Sequence, residues 1–174
     1  MNELSSGKVT IGLVFLALLG LSLIAFQYGM HPAAIYGSAY VVDGSTELAM
    51  TTAYATITSF TSVSSYKGVT WDAGSDIATI PLTGTYYIKT QLSISAGTSE
   101  VYQCALFQND STAVNAVHFR TQVNPASAPV SGSAHGFVDL VANDTICVKC
   151  KITSGTGTLI VYDGQFTLMY VGVR

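Results

Sequence analysis

Charged side chains are scarce in this sequence. Lys and Arg number 7 and Asp and Glu 10, so 10% of the residues are charged, against about 25% in an average soluble domain. The cations are scattered, whereas a nucleic-acid interface needs them clustered to displace counterions from phosphates. No nucleic-acid partner is therefore expected. The 49% hydrophobic content is equally inconsistent with a disordered chain, because it supplies the apolar surface that offsets chain entropy.

Cysteine and histidine are also few. The three cysteines make an odd count, which leaves at least one unpaired or bonded to another chain. Cys147 and Cys150 are spaced like half of a zinc knuckle, but structural zinc wants four converging ligands. Strand alternation would also send these two to opposite faces. His31, His118 and His135 are far apart in the sequence. Asp43, Asp72, Asp110, Asp144 and Asp163 fall in turn sequences, where local hydrogen bonding accounts for a carboxylate. No nucleophile and base are paired by spacing, so neither an enzyme nor a metal or other cofactor is expected.

What the sequence does have is an uncharged apolar run over residues 9–26, VTIGLVFLALLGLSLIAF, about long enough to cross a hydrocarbon core of ~30 Å. This predicts an N-terminal tail at 1–8, a transmembrane helix at 9–28 built on Leu13, Phe15, Leu18, Leu23 and Phe26, and a short stalk at 29–40. The expected partner of that helix is membrane lipid. Lys8 precedes the run and the next cation is Lys67, so the positive-inside rule puts the N-terminus inside and the remainder outside. Two other readings of the run are a cleaved signal peptide and the leader helix of a pilin-like filament subunit.

Beyond residue 40 the pattern changes to short runs of period two, rich in β-branched and aromatic residues. Strands are expected at residues 54–60, 77–82, 86–95, 100–108, 136–140, 145–152, 158–162 and 165–171, with turns at Asn109-Asp110-Ser111, Asn143-Asp144-Thr145 and Asp163-Gly164. About eight strands without an amphipathic helix predict an all-β, jelly-roll β-sandwich over 41–174. In residues 145–152 alternation puts Ile146, Val148, Cys150 and Ile152 on one face, and Cys147, Lys149 and Lys151 on the other. The lysines favour solvent, so Cys150 is expected to be buried and Cys147 accessible for interchain bonding. Cys104 falls on the inner face of its strand, where Cys104 and Cys150 are either a disulfide or two buried thiols. Asn109-Asp110-Ser111 and Asn143-Asp144-Thr145 also satisfy the N-glycosylation pattern.

The order of landmarks resembles the C1q/TNF-like jelly-roll superfamily, and its C1q-type heads in particular. The resemblance rests on Ile80-Pro81 followed by Gly84-Thr85-Tyr86-Tyr87, on Leu106-Phe107-Gln108-Asn109-Asp110, on residues 138–144 (VDLVAND) and on residues 165–172 (QFTLMYVG). Asp110 and Asn143 stand where the family usually has Gly, and no collagen-like repeat precedes the domain. The resemblance implies a homotrimer. Large apolar groups on both faces of Tyr86-Tyr87-Ile88 and of residues 166–170 point the same way, with Tyr87, Phe166, Met169 and Tyr170 as interface or packing candidates. Tyr86 and Phe166 also suit a core.

These readings predict a non-enzymatic, membrane-anchored structural or binding protein. The short stalk favours a virion surface or capsid-associated component with a trimeric head used for assembly or attachment, in contact with other virion proteins or with a host-surface receptor or glycan. The alternative is a cell-surface adhesin or TNF-like ligand.

Overall fold

The computed structural model describes residues 34–124 and 128–172; the expected anchor, with Leu13, Phe15, Leu18, Leu23 and Phe26, lies outside the described residues. The described residues form strands and connecting turns, with no helix among them. Numbered in chain order, one sheet runs β10 (Val130–Leu140), β7 (Gly84–Ala96), β12 (Gly157–Gly172), β1 (Tyr36–Val41), β4 (Ser62–Lys67), with β2 (Glu47–Met50) also on β12. The other runs β5 (Thr70–Asp72), β6 (Ile77–Thr79), β11 (Thr145–Ile152), β8 (Glu100–Gln108), β9 (Thr112–Val123), with β3 (Ala55–Thr56) also on β11. Every pairing is antiparallel. The result is the all-β sandwich expected, with its core between the sheets.

Strict alternation builds that core. In β7, Tyr86, Ile88, Leu92 and Ile94 are buried while Thr85, Tyr87, Lys89, Gln91 and Ser93 turn the other way, as a period of two requires. Burying tyrosine brings a polar hydroxyl inward, so each needs a partner. Tyr86 Oη donates to Leu82 O at 2.8 Å and Tyr102 Oη to Thr158 O at 2.7 Å. Cys104 and Cys150 stand directly opposite each other in β8 and β11 and are joined by a disulfide within the core.

Several expectations need correction. Residues 36–40, assigned to the stalk, belong to β1, which is hydrogen-bonded between β12 and β4. Of residues 54–60 only Ala55–Thr56 is strand. The runs at 158–162 and 165–171 are one strand, β12, and Asp163-Gly164 is no turn. An irregularity between Val161 and Asp163 leaves Tyr162 as an extra residue, a bulge that shifts side-chain parity by one. Leu159 and Val161 therefore point inward before it, and Phe166 and Leu168 after it.

The turns explain two departures from the family pattern. Asp110 and Asn143 have φ of 61° and 73°, and Asn109 has 50°; Asn and Asp tolerate this left-handed conformation because their short polar side chains bond locally. Asp144 serves both turns: its carboxylate accepts from Gln108 Nε2 (2.6 Å), Asn109 Nδ2 (2.7 Å) and Val141 N (2.7 Å). Burial alone would raise its pKa, but these hydrogen bonds together outweigh it and hold the carboxyl below the ordinary value.

Candidate functional site

The two outer faces of the sandwich are built differently. On the outer face of the β11-containing sheet, β3 pairs beside β11, and the side chains of Tyr54, just before β3, and Ile77, of β6, pack on Ala105, Phe107 and Cys147. The Tyr54 and Phe107 rings meet edge to face at 4.8 Å. Lys149 sits over the Phe107 ring at 5.0 Å and Lys151 over Tyr54 at 4.5 Å, a favourable contact between a cation and the negative face of a ring. Lys149 also pairs with Asp110, Nζ to Oδ1 at 2.6 Å.

This covering overturns the expected accessibility of Cys147. Its thiol is free but buried, and burial pushes its pKa up despite the nearby Lys149. The lysine face is not simply a solvent face here, because the Lys149 and Lys151 ammonium groups sit over aromatic rings. With Cys150 held in the disulfide, the zinc-like spacing of the two cysteines has no chemistry to do. Among the described residues no three His, Cys, Asp or Glu side chains gather as a metal site.

The outer face of the β12-containing sheet is open, and one row across it is apolar. Phe137 of β10 stands opposite Tyr87 of β7, Tyr87 opposite Met169 of β12, Met169 opposite Tyr36 of β1, and Tyr36 opposite Lys67 of β4. Phe137 is 66% exposed, Met169 50% and Tyr36 37%. The Tyr87 ring lies 5.5 Å from that of Phe137 and 6.0 Å from that of His135. The next row is polar, with His135, Lys89, Thr167 and Ser38 in register. Farther along, Tyr40, Gln91, Ser93, Asp163 and Gln165 line a hollow of about 230 Å³, which offers hydroxyls, amides and a carboxylate.

Of the four interface candidates, Tyr87 and Met169 lie in this row. Phe166 does not: it is buried among Phe60 and Trp71, with ring centroids 6.4 and 5.8 Å away. Tyr170 follows Phe166 in parity, and its half-buried ring packs edge-on against Tyr86 at 5.3 Å. Tyr36 and Phe137 are the row members that sequence reasoning missed. Phe137 could have been found by parity, since Val138 and Leu140 claim the inner face. Tyr36 was hidden by its assignment to the stalk.

One buried acid stands apart. Asp76 is 3% exposed, and its Oδ2 accepts from Phe60 N at 3.0 Å. Its Oδ1, with Ser59 Oγ and Trp71 Nε1, has no hydrogen-bond partner. Burial raises its pKa to about 6, the Phe60 N–H opposes the rise and the Asp72 charge adds to it. Both glycosylation-pattern asparagines are exposed, and the Asn109 amide is engaged, donating to Asp144 and accepting from Thr145 N at 2.9 Å.

No family model matches the chain, and no curated protein matches it significantly. Solved structures do. The Eiger TNF structure from S. frugiperda superposes with a TM-score of 0.62 at 13% identity, covering 82% of this chain and 96% of that one. The globular domain of the zebrafish complement 1qA protein gives a TM-score of 0.55 at 13% identity, covering 80% of this chain and 99% of that one. The fold is thus the C1q/TNF-like jelly roll.

Proposed function

We propose that the chain is a non-enzymatic, membrane-anchored structural or binding protein whose jelly-roll head forms a homotrimer through the outer face of the β12-containing sheet. The observation that carries this reading is the Phe137–Tyr87–Met169–Tyr36 row. An open cross-strand row of large apolar groups is unusual on a monomer, whereas on the opposite outer face Ala105, Phe107 and Cys147 are covered by Tyr54 and Ile77 of the chain itself. The three-fold association implied by the resemblance gives the row its partner, a neighbouring copy of the chain, which in a closed three-fold ring meets it with a different surface. Trimerisation also multiplies weak contacts with a repeated target, which suits a surface poor in charge.

Two observations support a head held outside, close to a bilayer. The Cys104–Cys150 disulfide belongs to an oxidising compartment. With β1 starting at Tyr36, the segment between the expected helix and the head shrinks to about residues 29–34, whose extended reach is at most roughly 22 Å. Such closeness fits a virion surface or capsid-associated component better than a ligand that must reach another cell. An adhesin or TNF-like ligand would share the trimer but be found on cells instead of in purified virus particles.

Sedimentation of residues 35–174, which include the whole core, tests the assembly. A concentration-independent trimer that dissociates when Tyr87 or Met169 becomes Asp is expected. A stable monomer at micromolar concentration contradicts the proposal.

A further inference from the structure

Past the row of His135, Lys89, Thr167 and Ser38, the open sheet face carries two further polar rows. In the first, Gln91 of β7, Gln165 of β12 and Tyr40 of β1 stand in register. In the second, Ser93 stands opposite Asp163. Neighbouring strands lie about 4.8 Å apart, so the first row sets two amides and a phenol side by side. These five residues and exposed Val42 line the hollow of about 230 Å³.

The hollow is built by an interruption of the sheet. β12 pairs with β2 over residues 157–160 and with β1 over residues 164–169. Where the partner changes, Gly44 N donates to Tyr162 O at 2.8 Å, and Gly44 lies so close that a Cβ on it would collide with Val161 O. Val161 points into the core, and in an unbroken strand Asp163, two residues on, would share its face. The extra residue Tyr162 turns Asp163 outward instead, opposite Ser93. Bulges of this kind commonly re-aim a side chain beside a functional site.

The chemistry of the lining selects its ligand. Amides and hydroxyls both donate and accept, whereas a carboxylate only accepts; a ligand bearing several hydroxyls satisfies all of them. The groups are lightly engaged within the protein, since Gln165 Nε2 reaches Ser38 Oγ and Asp43 N reaches Asp163 Oδ1 only at 3.4 Å. No Lys or Arg is among the lining residues, and Asp163 with neighbouring Asp43 disfavours an anion. The Tyr40 ring and Val42 supply apolar surface for a C–H face. The volume lies below the ~300–1,000 Å³ of drug-sized pockets, which suits a single ring.

We propose that this hollow binds one pyranose ring of a neutral glycan, with Asp163 accepting from ring hydroxyls, Gln91 and Gln165 exchanging hydrogen bonds with others, and Tyr40 against the C–H face. The site shares no residue with the apolar row of the proposed trimer, and the inference requires neither the trimer nor the anchor.

The test is saturation-transfer NMR on the full chain in a zwitterionic, sugar-free detergent. The probes are the methyl pyranosides of glucose, galactose, mannose and N-acetylglucosamine, with N-acetylneuraminic acid and spermidine as charged comparisons. Transfer to at least one of the four neutral glycosides is expected. Asp163→Asn should weaken it about tenfold, because hydrogen bonds to a charged acceptor are the stronger ones, and Gln91→Ala or Gln165→Ala severalfold. All three side chains are exposed, so the melting temperature should hold. Transfer to none of the four overturns the inference, as does transfer that all three substitutions leave unchanged, which places the sugar elsewhere. Preference for N-acetylneuraminic acid contradicts the charge argument, and binding of spermidine alone, lost in Asp163→Asn, makes the hollow a cation site. Transfer seen only after Tyr87→Asp has split a trimer would mean that a neighbouring copy fills the hollow, which also overturns it.

Discussion

Asn109 and Asp144, 35 residues apart in sequence, are joined by a 2.7 Å hydrogen bond from Asn109 Nδ2 to the Asp144 carboxylate. That bond makes the β8–β9 turn and the β10–β11 turn a single unit. Replacing Asp144 with Ala strands three donors at once and is expected to cost about 2–3 kcal/mol, since hydrogen bonds to a charged partner are worth more than neutral ones. Urea unfolding measures the loss. Asp144→Asn keeps the shape and should cost less. Because the folded pKa is depressed below 3.8, this contribution is present above that value and is lost as pH falls through the folded pKa.

Asp76 works in the opposite sense. Its pKa rises from 3.8 to about 6 on folding, so between these values the folded state binds the proton that the unfolded state releases. Stability therefore increases as pH drops from about 6 towards 3.8 and is reduced above 6. The melting temperature should be higher at pH 5 than at pH 7.5. Asp76→Asn should flatten that slope and raise the melting temperature at pH 7.5; a wild-type protein equally or less stable at pH 5 would contradict the assignment.

Phe166 and Tyr87 should separate core from interface. Phe166→Ala empties space beside Phe60 and Trp71 and is expected to cost about 3–5 kcal/mol, read by denaturant midpoint. Tyr87→Asp sits on the open face and should change the stability of the isolated domain by roughly 1 kcal/mol or less. Its effect should appear in sedimentation.

The cysteines give a fourth expectation. The disulfide spans a sequence separation of 46, so chain-entropy reasoning puts its loss on the order of 4 kcal/mol. Cys104→Ala with Cys150→Ala should lower the denaturant midpoint accordingly. A maleimide should leave Cys147 unmodified in the native protein and label it only on unfolding. Prompt native labelling would show that the Tyr54 cover opens.

The inner half of the sandwich was legible because alternation there is strict: β7 and β11 follow the pattern that places Tyr86, Cys150 and Ile152 inside. The glycine-like turns were legible too, since Asn and Asp carry the same backbone sign. At β12 two strands and a turn were expected where one strand carries Tyr162 as an extra residue, and of the two readings of Phe166, interface and core, the core is the one it takes. Burial failed at Cys147, because what covers β11 is a distant segment around Tyr54 that a local period cannot report. The strand β9 was missed because, as an edge strand, it buries few side chains beyond Val117, Phe119 and Val123. The first half of β10 was missed for a different reason: its small residues fit because Gly132 faces the Phe119 ring, where a Cβ would collide.

The position of β12 governs when the head can fold during synthesis. β1, β2 and β7 each use it as a hydrogen-bonding neighbour, and Tyr36 waits for Met169 across almost the whole length of the domain. Pairings so distant in sequence form late. A nascent chain that has released β1 through β11 from the ribosome still exposes three strand edges of the unfinished sheet, the kind of edge on which chains aggregate. Translation that stops short of Gly157 should therefore yield no partly useful head, because β12 is the segment that completes this sheet.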